Sequence, residues 1–428
     1  MNQHILYLSV LLSTSTLVQA YESQDDAEDR QERQISRYAA QGIHIRSFTL
    51  LPSMAFNNEY DSNIFKRDKN QEFSSYIAHF QPGFMLASNW NQHQFNVALA
   101  TDIAVYSTQG AQNNYEDVSL TFDGRVDILR HSQLEAAFAY QYLHEDRGSP
   151  DQLGGSKPTL YDQKLITLAY KHQFNRFRLK PAIQFSRTDY QDTLSLNGLL
   201  QQSSRSRWEY APSIRLGYEI QPEYETFAQF TWQQVDYDTS VISGTSATSF
   251  QRNSSGYNIL AGMEFDLTEL LTGDISIGYQ YRRYADARLA SISGVNGFAN
   301  LMWRPTPLSS ISLAFRRTIN ETTQNGVSGF VATSPSIKLE HELLRNLILS
   351  LGVYYRLHEY KGFDVNNTTL ANRKNRLEHI VGTNFGVKYL LNRNFNLSVN
   401  YNYDSREVNY VNTDYEVHKI MFNITAQL

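Results

Sequence analysis

The sequence predicts an all-β fold: a transmembrane, antiparallel, up-and-down β-barrel of about 18 strands, an even count as such barrels require. Three observations carry this. Apolar and polar residues alternate at period two over long segments. Short and long connections alternate between those segments. The 428-residue chain is rich in Tyr (28) and Phe (23), poor in Pro (10), and free of long apolar runs. Its mean hydropathy is −0.46. A barrel strand turns apolar side chains to lipid on one side only, so it reads as polar on average.

The first twenty residues carry no Asp, Glu, Lys or Arg. An apolar or small run from Ile5 leads to Val18-Gln19-Ala20, a small-residue cleavage pattern. Residues 1–20 are therefore expected to be a signal peptide, with an apolar stretch too short to span a bilayer. Residues 21–45 open with six acids and two arginines in YESQDDAEDRQERQ and lack apolar periodicity. They are expected to be an acidic periplasmic linker, with a docking segment as the other reading. Residues 46–428 are expected to form the barrel. The net charge is −5 and there is no cysteine. That absence suits passage through an oxidising compartment and removes thiolate chemistry.

The alternation is plainest in Phe395-Asn396-Leu397-Ser398-Val399-Asn400-Tyr401-Asn402-Tyr403, where odd positions are apolar and even ones are Asn or Ser. A helix would scatter these apolar residues round its axis; a strand puts them on one face. Leu134–Tyr142 and Tyr257–Phe265 repeat the pattern. Read this way, strands fall at 46–59, 73–88, 93–107, 114–128, 131–146, 160–173, 176–190, 205–219 and 223–237. They continue at 252–266, 272–284, 292–304, 308–321, 328–342, 346–359, 377–390, 394–409 and 412–427. Short turns such as Asn91-Gln92, Asn175 and Asn392-Arg393 alternate with long polar loops near 60–72, 147–159, 191–204, 238–251, 322–327 and 360–376. Short turns belong on the periplasmic side, which puts both termini there. Aromatics gather beside the turns (Trp90, Phe177, Tyr218, Trp303) and toward the loops (Tyr60, Trp208, Trp232), as two interfacial girdles would. The chain closes on the alternating Ile420–Leu428. Such a last strand is what barrel-assembly machinery recognises, although Leu428 stands where a Phe is usual.

The inward face follows from the alternation. It takes Glu135, Gln141, Arg178, Lys180, Gln184, Arg215, Gln229, Gln233, Gln280, Arg282, Arg316, Lys338, Glu340, Arg356, Lys388, Asn396, Asn400 and Asn402, interspersed with small residues such as Ala137, Gly278 and Gly386. A barrel of this size holds an aqueous lumen, and the small, polar lining favours an open path over a packed plug. Two readings of the charges stand side by side: cross-strand ladders in the wall, or attraction of an anionic polymer or ion.

No catalytic, cofactor or metal site is expected. His144-Glu145-Asp146 lacks the spacing of a zinc helix, and Glu145–Asp151 matches no calcium loop. Arg252-Asn253-Ser254-Ser255-Gly256 lacks the strand–turn–helix setting of a serine nucleophile. No phosphate loop, dinucleotide fingerprint or basic nucleic-acid patch occurs.

Six segments go beyond the general pattern. They are Tyr60–Phe65, His144–Asp151, Trp303–Leu308, Glu321-Thr322-Thr323 leading to Gly329-Phe330, His341–Leu347 and Tyr389–Asn394. In this order they resemble the outer-membrane "putative beta-barrel porin 2" family of capsular and exopolysaccharide synthesis clusters, over roughly residues 46–428. The resemblance implies a barrel in the outer membrane of a Gram-negative bacterium, surrounded by lipid and lipopolysaccharide. It implies export of a polysaccharide with a periplasmic polysaccharide-export protein as partner. A diffusion porin for small solutes, or a structural or adhesive surface protein, would share the fold.

Overall fold

The structure, a computed structural model, describes residues 38–145, 147, 155–195, 198–239, 250–267, 270–322, 324, 326–362 and 374–428. The expected signal peptide and most of the acidic segment lie outside the described residues.

The first half contains β1 (Ile43–Ile45), β2 (Phe48–Asp61), β3 (Ser75–Ser88), β4 (Gln94–Tyr106), β5 (Tyr115–Leu129), β6 (Ser132–His144), β7 (Leu160–Phe174) and β8 (Phe177–Tyr190). A small hairpin, β9 (Thr193–Ser195) and β10 (Gly198–Leu200), follows. Then come β11 (Arg207–Gln221), β12 (Tyr224–Tyr237), β13 (Ser254–Leu267), β14 (Leu271–Tyr284), β15 (Ile292–Thr306) and β16 (Ser309–Asn320). The chain ends with β17 (Phe330–Leu344), β18 (Leu347–Tyr360), β19 (Leu377–Leu390), β20 (Phe395–Val408) and β21 (Tyr415–Gln427).

Eighteen of these, β2–β8 and β11–β21, pair antiparallel with their neighbours into one closed wall. Sequential pairing alone would leave β2 and β21 as bare edges. The barrel removes both by joining them, from Ser53 opposite Gln427 to Asp61 opposite Lys419. Lys419 Nζ locks the seam by contacting Glu59 at 2.8 Å and Asp61 at 2.9 Å. Beyond the end of β21, the β1 strand covers the remaining edge of β2, with Ile43 opposite Leu50. Strand pairing thus starts at Ile43, three residues inside the segment read as linker. A three-residue strand is too short to register as period two.

Turns are tight where the chain supplies the right residues. Asn175 takes φ 55° between β7 and β8, a left-handed conformation that Asn tolerates better than most residues. Ladder register slips only beside turns, for example between Glu219 and Gln221. The large exposed side chains share one face of the wall. On β14 they are Ile275, Ile277 and Tyr279; on β20 they are Leu397, Val399 and Tyr401. That is the lipid face. Its aromatics cluster near both ends: Phe177 packs on Tyr218 at 5.1 Å beside the turns, and Tyr60 on Tyr76 at 5.2 Å beside the loops.

Ile277, 66% exposed at the middle of β14, gives a direct check. A charged side chain at the bilayer midplane costs about 2–4 kcal/mol. Ile277→Arg is expected to lower unfolding stability by that amount in urea titrations from phosphatidylcholine vesicles. Stability equal to the unmodified chain would mean that Ile277 does not face lipid.

Candidate functional site

The face opposite the apolar one carries the polar side chains, and register brings them into partnerships. Lys180 on β8 and Glu135 on β6 are two strands apart, and their ion pair spans 3.0 Å. Arg178 meets Glu225 at 2.7 Å. Arg215 meets Glu264 at 2.7 Å, lies 3.7 Å from Glu225, and sits 3.6 Å from the centre of the Phe227 ring. Lys338 meets Glu340 at 2.9 Å on the same strand. Arg316 stacks on Phe298 at 5.3 Å and Arg356 on Tyr354 at 4.4 Å. Lys388 stands opposite Ile348 and Ser398.

The amides are arranged likewise. Gln141 donates to the Ser119 hydroxyl at 3.1 Å, and Gln229 to that of Thr231 at 3.3 Å. Gln184 is buried opposite Thr167 and Ala211. Asn384 donates to the side-chain oxygen of Asn402. Asn400 donates to Ser398 at 3.4 Å, and Asn396 is buried opposite Leu390 and Thr425. Gln233 accepts from Arg282 at 2.9 Å, and Gln280 accepts from the Ile319 amide at 3.1 Å. Apart from Lys388, the basic groups are thus held by carboxylates, rings or amides of the same wall, the geometry of a braced lining.

At the loop end several connections pack against inward-facing side chains of the wall. In the β2–β3 connection, Ile64 packs with Ile77 and Ala104, backed by Phe65, Phe73, Tyr106 and Tyr115. Asn63 is fully buried and donates to the carbonyls of Arg67 (2.8 Å) and Glu416 (3.2 Å). Tyr115 donates to Asp102, which also holds His79 at 3.0 Å. His144 stacks on Tyr115 at 3.6 Å and binds Asp117, and Glu145 binds Arg205. Among the described residues no cluster of side chains suited to a metal ion occurs. The β8–β11 connection is shaped by Asp192. Its carboxylate accepts the amides of Gln202 (2.7 Å) and Ser203 (2.8 Å), and these bonds hold it below the usual carboxylate range.

The most pronounced inward turn is the described part of segment 321–329, between β16 and β17. Arg252, 1% exposed, reaches into it from the β12–β13 connection. Its guanidinium donates to the carbonyls of Gln324, Val327 (2.7 Å) and Ser328 (3.5 Å). Glu321 pairs with Arg282 on β14 and acts electrostatically on Arg207 of β11. Arg282 brings the Glu321 carboxylate to β14, and Arg207 lies over Tyr237 of β12, so the two charges approach along the inward face of the wall. Gly329 is required there, since a Cβ would lie 2.7 Å from the Asn320 carbonyl oxygen, a backbone atom, and 2.8 Å from the Tyr284 hydroxyl oxygen.

Local sequence does not bring Arg252, Glu321, Arg207, Tyr237 and Tyr284 together; the signal it holds is the inward parity of Arg207, Tyr237, Arg282 and Tyr284 at the loop ends of nearby strands.

The family model described as "Putative beta-barrel porin 2" matches residues 36–428. No curated protein sequence matches the chain. Among solved structures it is similar to the ferric citrate transporter FecA in the unliganded form, at 11% identity and TM-score 0.46, over 88% of this chain and 61% of that one. The chain thus spans less than two thirds of FecA. It is similar to Pseudomonas aeruginosa OpdK with vanillate, at 13% identity and TM-score 0.44, over 89% of this chain and 99% of that one. It is similar to the siderophore receptor PiuA of Acinetobacter baumannii, at 11% identity and TM-score 0.47, over 91% of this chain and 82% of that one.

Proposed function

The chain belongs to the family described as putative beta-barrel porin 2, and from that premise we propose that it is the outer-membrane exit of an exopolysaccharide or capsular polysaccharide in a Gram-negative bacterium. A porin barrel transports; what passes through this one is inferred from its lining. The observation that supports a polymer is the wall itself. Eighteen strands enclose an aqueous interior. Along β18–β21 that interior is lined by Gly352, Gly382, Asn384, Gly386, Asn400 and Asn402. Amides offer hydrogen bonds to sugar hydroxyls, and the Tyr354 ring seated over Gly382 offers a stacking face. A periplasmic polysaccharide-export protein would deliver the polymer to the turn end.

Deleting the gene is expected to leave polymer synthesis intact while polymer disappears from the cell surface, measured by surface and whole-cell carbohydrate assays. Unchanged surface polymer in a strain that still makes it would end this reading.

A second reading, a diffusion porin for small solutes, is favoured by one observation: the described part of segment 321–329 is buried against the inward side chains Arg252 and Arg282, where a constriction loop would attach. It predicts a steady conductance from the purified barrel alone. An exporter that needs its partner would stay closed or gate.

A further inference from the structure

Buried polar atoms without a partner are costly, about 1–3 kcal/mol each, and a run of neighbouring ones asks for an explanation. Five gather at the loop ends of β12–β14 and β16. They are the hydroxyls of Tyr237, Tyr284 and Ser254, Arg252 Nε, and one carboxylate oxygen of Glu321, all buried with no hydrogen-bond partner among the described residues. Tyr237, Arg252, Ser254 and Tyr284 are each more than nine-tenths buried. They form one cluster. Ser254 stands opposite both Val235 and Tyr284, and Arg252 and Glu321 both act electrostatically on Tyr237 and Tyr284. Arg207, held by Glu209 at 2.8 Å, lies over the Tyr237 ring at 5.8 Å.

The mixture of atoms defines the guest. Arg Nε only donates, a carboxylate oxygen only accepts, and hydroxyls do both. A simple anion would satisfy Arg252 and meet repulsion from Glu321. A simple cation would face Arg207, Arg252 and Arg282. Adjacent hydroxyls on one small ring donate to the acid and accept from the arginine together. We propose that this cluster is a binding site for the hydroxyl groups of a sugar unit, reached from the lumen as segment 321–329 moves aside. The physiological ligand rests on the polysaccharide reading above; the hydroxyl chemistry does not.

The test uses the purified full-length barrel in detergent with maltohexaose as the probe, and reads binding by isothermal titration calorimetry, which needs no open channel. Binding is expected. In Tyr237→Phe/Tyr284→Phe, which keeps both rings, the affinity should fall about tenfold or more, the effect of two lost hydrogen bonds. The thermal midpoint without sugar should not fall, because these hydroxyls have no partner among the described residues to lose. Absence of binding to the unmodified barrel, or equal affinity in the variant, would overturn the site and point to ordered water there instead. Weakened binding in the variant together with unchanged surface polymer in the deletion strain would keep the site and remove the export reading.

Discussion

Gly278→Val is expected to abolish the folded barrel. Gly278 lies in the middle of β14, opposite Leu260 on one side and Asn296 on the other. A Cβ there would collide with the Ile259 carbonyl oxygen, and would lie 2.8 Å from its carbon and 2.9 Å from the Leu260 Cα. All three are backbone atoms held in the ladder, so no side chain can swing away to relieve the clash. Room comes only from parting β13 and β14, which forfeits ladder hydrogen bonds in a medium that offers no replacement. The cost exceeds the about 1–3 kcal/mol of ordinary overpacking. The measurement is the heat-modifiable band of the folded barrel in gel electrophoresis, with Gly352→Ala as the comparison. Gly352 has 3.6 Å to the nearest atom, Asn384 Cβ, and its variant should fold. Equal folding of the two variants would show that β13 and β14 do not approach as closely as described.

Gly278 also illustrates what a sequence can and cannot reveal. Its parity puts it on the polar face, where it reads as a small lining residue. Its reason for being glycine is the approach of the next strand, which needs register to see. The wall itself was legible because period-two alternation, as in Phe395–Tyr403, and the turn–loop alternation are both local and recur along the whole barrel. Pairings were not. Arg215 and Glu264 lie 49 residues apart, and nothing in either segment names the other. The inward turn of segment 321–329 escaped for a further reason. A loop over the mouth and a loop inside an aqueous lumen face the same solvent, so they carry the same polar composition. Only tertiary partners such as Arg252 separate the two.

Arg252→Ala is therefore the substitution expected to change transport most. One guanidinium serves the carbonyls of Gln324, Val327 and Ser328 from a site that water does not reach. Truncation leaves those acceptors buried and unpaired, at about 1–3 kcal/mol each. Even one such loss favours a hydrated, outward position of the segment by tenfold or more. The expected result is a larger or more frequently open single-channel conductance in planar bilayers, with the heat-modifiable barrel retained because β12 and β13 keep their ladder. Arg252→Lys should fall between the two, since an ammonium lacks the planar fork that spans separate carbonyls. Identical conductance in the unmodified and Arg252→Ala barrels would mean that segment 321–329 does not limit the passage, and the narrowing would have to be sought in the β2–β3 connection around Ile64 and Phe65.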